Sequence, residues 1–248
     1  ISIATITGSG FKANSFKSVF NSYEDALNLF TGNTVYISLP NSLHDKYAII
    51  AANLGFNVII DKPAILNKET LSKLSEIQLK NKNLIAESVV FQYHPAWDYL
   101  RSQFSGNDNI KKAIGIFTIP KLPKSDFRMQ KKYSGGVLAD MSAYSLGIGR
   151  FLWNIDPKRV TTSGVKKKEG IVTEFMFLAD YGLGRSTQGY YSLNAEYKNT
   201  ISLYGNNCWG TLDRVFSLTD NIESRVYGMS YNKLWENTIK PHDSFLIF

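Results

Sequence analysis

The chain has 248 residues, 44% of them apolar and 13% aromatic, with a formal net charge of +7. One cysteine excludes a disulfide framework, three scattered histidines give no zinc constellation, and no apolar run reaches the length of a membrane span. The composition is that of a globular chain of one large or two smaller domains, and the basic balance favours an anionic partner: a phosphorylated cofactor, a nucleotide sugar or nucleic acid.

The opening "ISIATITGSG" has neither a basic n-region nor a long apolar core, so it does not read as a signal peptide, and the expected compartment is the cytoplasm. The chain starts inside an alternating apolar stretch and stops on "SFLIF", which leads us to expect further residues beyond one or both ends. Residues 34–39, "TVYISL", read as a strand. "PNSLHDKYAIIAANLG" follows as a turn, an Asn41 or Ser42 N-cap, a helix and a Gly55 stop. "FNVII" is the next strand. The segment after Asn67 sets Leu71, Leu74 and Ile77 on one helix face, and "NLIAES" at 83–88 is another short strand. Strand and helix alternating across short connections predict a parallel α/β domain over residues 1–93.

From residue 94 the pattern changes. A short helix around "AWDYLRSQF", a strand near 112–119 and a Gly-Gly-opened helix at 136–153 precede alternating stretches from "RVTTSGV" to "CWGTLDRVFSL". Turn signals "YGLG" and "YGNN" separate them, so residues 94–248 read as an α+β domain with a large, mostly antiparallel open sheet, a meander of at least five strands. "KKKE" at 166–169 reads as a solvated hairpin loop, Tyr190 and Tyr191 as sheet packing, and Cys208 as a small buried residue.

Chemistry is expected outside the carboxyl ends of the parallel strands, where open α/β sheets bind ligands. There "NVIIDKPAIL" ends a strand on Asp61, Lys62 and Pro63. Proline biases Lys62 toward an extended backbone, and a lysine partly desolvated at a strand tip can serve proton transfer or hold a hydroxyl. An ordinary solvated lysine with a turn proline fits the same residues. In "SGGVLADMSAY", Asp140 and Tyr144 are spaced i, i+4 and share a helix face, a pairing that suits acid–base work or plain core packing.

Taken in order, "YISLPNSLHDKYAIIAANLGFNVIIDKPA", "AESVVFQYHPAW" and "FRMQKKYSGGVLADMSAY" resemble the glucose–fructose oxidoreductase/inositol dehydrogenase (Gfo/Idh/MocA) family, nearest its glucose–fructose oxidoreductase, xylose dehydrogenase and dimeric dihydrodiol dehydrogenase branch. The resemblance spans residues 33–150. It implies a Rossmann-like domain and an NAD(P)-dependent dehydrogenase or reductase acting on a sugar, polyol or nucleotide sugar, with Lys62 and Tyr144 catalytic. Asp140, Arg128 and Tyr93 would hold substrate, and Ser38, Pro40, Asn41, His44 and Asp61, with Lys62, would line the dinucleotide. Gln92 stands where the family has arginine, and Asp61 where it usually has glutamate.

The phosphate-binding glycine turn is not where the family puts it. "TGSGFKA" holds G-x-G-x-x-A, yet only a few residues separate it from the following helix. We therefore expect "ISIATITGSG" to be the second strand, with the first strand absent from the sequence and Gly8 and Gly10 a chance match. In that register Ser9 meets the adenosine ribose; with Lys12 and no acidic residue nearby, NADP is favoured over NAD. The partners expected are a sugar-like small molecule and a second copy of the chain, as homodimer or homotetramer, without nucleic acid or membrane. A non-catalytic member that binds a nucleotide or protein partner, favoured by Gln92, and a basic nucleic-acid-binding protein are the alternatives.

Overall fold

The computed structural model describes residues 20, 22–29, 34–217 and 221–244. The expected strand "ISIATITGSG", with Gly8, Ser9, Gly10 and Lys12, lies outside these residues. The chain divides into two compact units, Ile1–Glu87 and Ser88–Phe248.

In the first unit, α1 (Tyr23–Leu29) precedes β1 (Thr34–Ile37), α2 (Asn41–Asn53), β2 (Asn57–Asp61), α3 (Lys68–Asn81) and β3 (Ile85–Ser88). The sheet order is β1-β2-β3, and β1 runs parallel to β2 with Ile37 opposite Ile60. Val58 and Ile60 are fully buried while Ile59, on the other face, is half-buried. Ala48, Ala51 and Ala52 of α2 are likewise fully buried; these small residues join the core of Val58, Ile60 and Phe56.

Local chemistry sets most boundaries. Pro40, at φ −56°, occupies the N-cap position of α2 and makes no side-chain cap bond, so Asn41 is the first helical residue rather than the cap. Gly55 takes φ +85°, a left-handed conformation glycine adopts without a Cβ penalty. At α3 the Asn67 Oδ1 accepts the Thr70 N–H at 2.8 Å, a side-chain N-cap. Its buried face is Thr70 and Leu74 with Ile77 half-buried; Leu71, expected there, is solvent-exposed because it follows Thr70 by one helical step of 100°.

The second unit holds α4 (Pro95–Ser102), β4 (Ile110–Thr118), α5 (Val137–Trp153), β5 (Arg159–Lys168), β6 (Ile171–Gly182), β7 (Arg185–Ser192), β8 (Lys198–Gly205), β9 (Cys208–Asp213), β10 (Ser224–Ser230) and β11 (Lys233–Ile239). Eight strands form one sheet in the order β11-β10-β9-β8-β4-β7-β6-β5. It is not a continuous meander. β4, which comes before α5 in the chain, lies between β7 and β8, parallel to the first and antiparallel to the second. That insertion is a non-local pairing that alternation within each strand does not encode.

"KKKE" corrects in the same way. Lys166–Lys168 close β5, an edge strand exposed along its whole length, and the turn is Glu169–Gly170. Charged side chains on an edge strand discourage pairing with a foreign strand. Cys208 is half-buried, its Sγ 3.0 Å from the Ser230 hydroxyl.

One face of this sheet makes the second core, in which Phe117, Phe175, Phe177, Tyr191, Ile201 and Leu203 cluster with Val137, Met141, Ile148 and Leu152 of α5. The other face is open. Met176 pairs with Tyr190, which pairs with Ile116, and Leu178 with Gln188; Met176 is 50% and Leu178 47% exposed.

Candidate active site

In the first unit, three strand ends are tied to one another by side-chain hydrogen bonds. Asp61, last residue of β2, turns its carboxylate back: Oδ1 accepts the Lys62 N–H at 3.1 Å, and Oδ2 the Ser38 hydroxyl, from the loop after β1, at 3.5 Å. His44, only 1% exposed, points Nδ1 at the Pro63 carbonyl (2.9 Å) and Nε2 at the Leu39 carbonyl (2.8 Å). Glu87, near the end of β3, accepts the Ala64 N–H at 2.9 Å. The Lys62–Pro63 peptide is cis. Ser38 is exposed, Pro40, Asp61 and Lys62 are half-buried, and Asn41 is buried.

Carbonyl oxygens only accept hydrogen bonds. A neutral imidazole therefore donates to Leu39 or Pro63 but not both, whereas the doubly protonated ring donates to both. Both ring nitrogens lie within hydrogen-bond distance of a main-chain carbonyl, and His44 sits between the loops after β1 and β2.

In the second unit the site-bearing element is α5. Gly136, at φ +113°, leads into it, and the Gly136 N–H donates to the Arg128 carbonyl at 2.7 Å. A Cβ on Gly135 would stand 2.5 Å from that same carbonyl oxygen, so the Gly-Gly pair is what lets the preceding loop close on the helix start. Asp126 organises that loop. Its Oδ1 accepts the Arg128 N–H and Nε, both at 2.9 Å, and its Oδ2 accepts an Arg128 terminal nitrogen at 2.8 Å. The guanidinium holds the Asp126 carboxyl below the usual carboxylate range against the opposing effect of burial. Arg128 also feels the charge of Asp140, which is half-buried on the first turn of α5.

One turn on, Tyr144 is 9% exposed with its ring among phenylalanines: Phe216 stacked at 5.3 Å between centroids, Phe91 edge-on at 5.6 Å and Phe117 tilted at 5.6 Å. Its main-chain carbonyl accepts the hydroxyl of Tyr191 at 3.3 Å, and burial pushes that phenol's pKa far up, keeping it a donor. Tyr93 closes the 3-10 turn Val90–Tyr93 and is 38% exposed.

In the first unit Ser38, Asp61 and Lys62 meet at the strand ends with His44 behind them; in the second, Arg128 feels Asp140 on the first turn of α5, and Tyr144, one turn on, packs its ring against Phe91, Phe117 and Phe216. Glu87, Asp126 and Phe216 were not singled out from the sequence. Asp126 had a usable signal, an acid two residues before an arginine; Phe216 had none, because its ring packs against Phe91, Phe117 and Tyr144, all distant in sequence.

Comparison with known proteins adds the family. Residues 7–88 match the family described as "Oxidoreductase family, NAD-binding Rossmann fold". An uncharacterized oxidoreductase of Rhizobium meliloti is 26% identical over 84% of this chain and 63% of its own length. A dTDP-3,4-didehydro-2,6-dideoxy-alpha-D-glucose 3-reductase of Actinomadura kijaniata is 22% identical over 85% of this chain and 64% of its own. The chain thus spans just under two thirds of the length of these curated relatives. A crystal structure of a 3-ketoreductase from Actinomadura kijaniata with NADP and TDP-benzene superposes with a TM-score of 0.80 at 21% identity, covering 94% of this chain and 73% of that one. The family match falls on the unit that carries Lys62, and the relatives align well beyond residue 88 into the unit that carries Tyr144, so the chain is similar to the Gfo/Idh/MocA oxidoreductase family across both units.

Proposed function

We propose that this protein is an NAD(P)-dependent oxidoreductase moving a hydride between the nicotinamide and a carbinol carbon of a sugar, polyol or nucleotide sugar. The observation that carries the reading is the knot of strand ends in the first unit, where Asp61, oriented by Ser38, lies beside Lys62 at the tip of a parallel strand. The polar groups present suit a dinucleotide: an exposed hydroxyl at Ser38, an oriented carboxylate at Asp61 to accept hydrogen bonds, and a first turn of α2 without a side-chain cap after Pro40. The nicotinamide supplies the hydride chemistry, and this chain's residues manage position and protons. Tyr144 would be the acid/base that exchanges the proton of the reacting hydroxyl, with Lys62 assisting that exchange, and Asp140, Arg128 and Tyr93 would hold the substrate.

NADP is the preferred form. The stretch after "ATIT" offers Ser9 and Lys12 and no acid to a ribose 2′-phosphate, and the related 3-ketoreductase was crystallised with NADP. The relative named as a dTDP-sugar reductase supports nucleotide sugars among the substrates. The open face of the eight-stranded sheet supports self-association as a homodimer or homotetramer. The proposed compartment is the cytoplasm; separately, among the described residues no helix is long and apolar enough to cross a membrane.

The test is a fluorescence titration with NADPH and NADH, followed by turnover on free sugars, polyols and nucleotide sugars. Tighter binding of NADPH is expected, with Lys62→Ala and Tyr144→Phe each lowering turnover by about 10²-fold. Binding of neither cofactor would overturn the reading. Binding with no turnover across the panel would favour the nucleotide-binding, non-catalytic alternative that Gln92 suggests.

A further inference from the structure

We propose that Phe216 and Asn199 are positioning residues for Tyr144, holding the phenol ring in the plane its chemistry needs. The inference rests on the reading of Tyr144 as the group that handles the substrate proton.

Phe216 lies in the segment after β9, three residues past the end of the strand. Nothing in regular secondary structure holds this stretch. Arg214 opens it at φ +57°, a left-handed conformation unfavourable for a non-glycine residue, which persists where the surroundings impose it. The imposing residue is Asn199, second residue of β8 and 3% exposed. Its main-chain carbonyl accepts the Arg214 N–H at 2.6 Å, its Oδ1 accepts the Phe216 N–H at 2.9 Å, and its Nδ2 donates to the Ser217 carbonyl at 3.3 Å. Nδ2 also donates to the Tyr197 hydroxyl at 3.2 Å. One side chain has to accept from one residue of the loop and donate to the next, and a short primary amide does both at once.

The product of this clamp is the Phe216 ring. It is 3% exposed, near-parallel to Tyr144 (29° between planes) and near-parallel to Phe117 (28°), and edge-on to Phe91 at 5.5 Å. Tyr144 therefore has a face against Phe216 while Phe91 and Phe117 flank it. These three side chains have no polar atom, so they exert no hydrogen-bonding pull on the phenol; what they determine is where the ring, and with it the hydroxyl, can point. Proton transfer is steep in donor–acceptor geometry, and displacement of a reacting group by about 1 Å can cost roughly 10²-fold in rate. Neither Phe216 nor Asn199 has to touch substrate for this.

The experiment is a double-mutant cycle on turnover. Phe216→Leu should lower kcat by roughly tenfold in an otherwise wild-type protein, with cofactor Kd changed less than about twofold, and should cost nothing further in a Tyr144→Phe background, because residues acting through one group are not additive. A merely structural Phe216 would cost the same factor in both backgrounds, and that result overturns the proposal, as does an unchanged kcat in Phe216→Leu. If Phe216→Leu does not fold, Asn199→Ser is read in the same cycle against the same two outcomes. The parent reading fails separately: Tyr144→Phe alone would then keep wild-type turnover.

Discussion

The Nδ1 of His44 lies 2.9 Å from the carbonyl oxygen of Pro63, nineteen residues along the chain, across the turn that carries Lys62. With Nε2 on Leu39, the ring links the first turn of α2 to the loops after β1 and β2. His44→Phe keeps the ring volume and removes the imidazole N–H donation to the Pro63 or Leu39 carbonyl in a buried place. We expect a loss of about 1–3 kcal/mol in unfolding free energy, measured by denaturant titration, the cost of leaving a buried polar group unpaired. Cofactor affinity should weaken as well, since the freed loops carry Ser38 and Lys62. An unchanged denaturation midpoint would show that the carbonyl finds another partner.

Asp126 should matter to catalysis through Arg128. Asp126→Ala removes three hydrogen bonds to one residue and leaves a half-buried guanidinium without its carboxylate. A drop in kcat/KM of roughly tenfold or more is expected, the scale of losing a charged hydrogen-bonded partner. Asp126→Glu should recover part of it. Because the folded-state pKa of Asp126 is depressed, its contribution to stability is complete above the ordinary value of 3.8 and is lost as pH falls through the lowered one. Wild-type and Asp126→Ala should therefore differ by a constant amount between about pH 5.5 and pH 8, and converge only in strong acid.

His94 predicts a different pH window. It caps α4 by accepting the Ala96 N–H on Nδ1 at 3.2 Å, and burial, helped by the nearby His242, holds its pKa below the ordinary 6.5. A histidine kept neutral by the fold contributes stability that is full above its unfolded-state pKa and lost as pH falls through the depressed folded value. Stability should fall on going from about pH 7.5 to about pH 5.5, and His94→Asn, which keeps an N-cap acceptor without a titrating ring, should flatten that fall. A slope unchanged in His94→Asn would assign it elsewhere.

On the open face of the large sheet, Met176→Lys combined with Leu178→Glu places charge in two neighbouring rows, that of Tyr190 and Ile116 and that of Gln188 and Ile114. Sedimentation velocity should show an oligomer for the wild-type protein and a monomer for the double variant, with the fold retained because neither side chain packs in the core. A monomeric wild-type protein at micromolar concentration would refute self-association through this face.

Gly149 offers a check on the packing of α5. A methyl group there would overlap the ring of Tyr181, which is 2% exposed. Gly149→Ala should therefore destabilise by about 1–3 kcal/mol, the usual cost of overpacking, despite alanine's better helix propensity. A rise in Tm would mean that the ring moves aside without penalty.

What the amino-acid sequence determined by itself was everything governed by near neighbours. Asn67 caps α3 because an amide three residues ahead of a free N–H closes the bond locally. Gly55 ends α2 because only the chain's own sterics are involved, and "NVIID" is a strand because its β-branched run has nowhere to go but a pleated, half-buried surface. Lys62, Asp140 and Tyr144 were legible as candidates for the same reason, a strand tip and an i, i+4 pair being local patterns. The tertiary structure alone decided that β4 lies between β7 and β8, that both nitrogens of His44 meet main-chain carbonyls, and that Phe216 stacks on Tyr144. Each of these joins residues distant in sequence, where the choice of partner is set by which of many apolar faces and unpaired carbonyls the whole fold brings within reach. No residue's propensity records that choice, because the free energy that makes it belongs to the packed core and not to any segment of the chain.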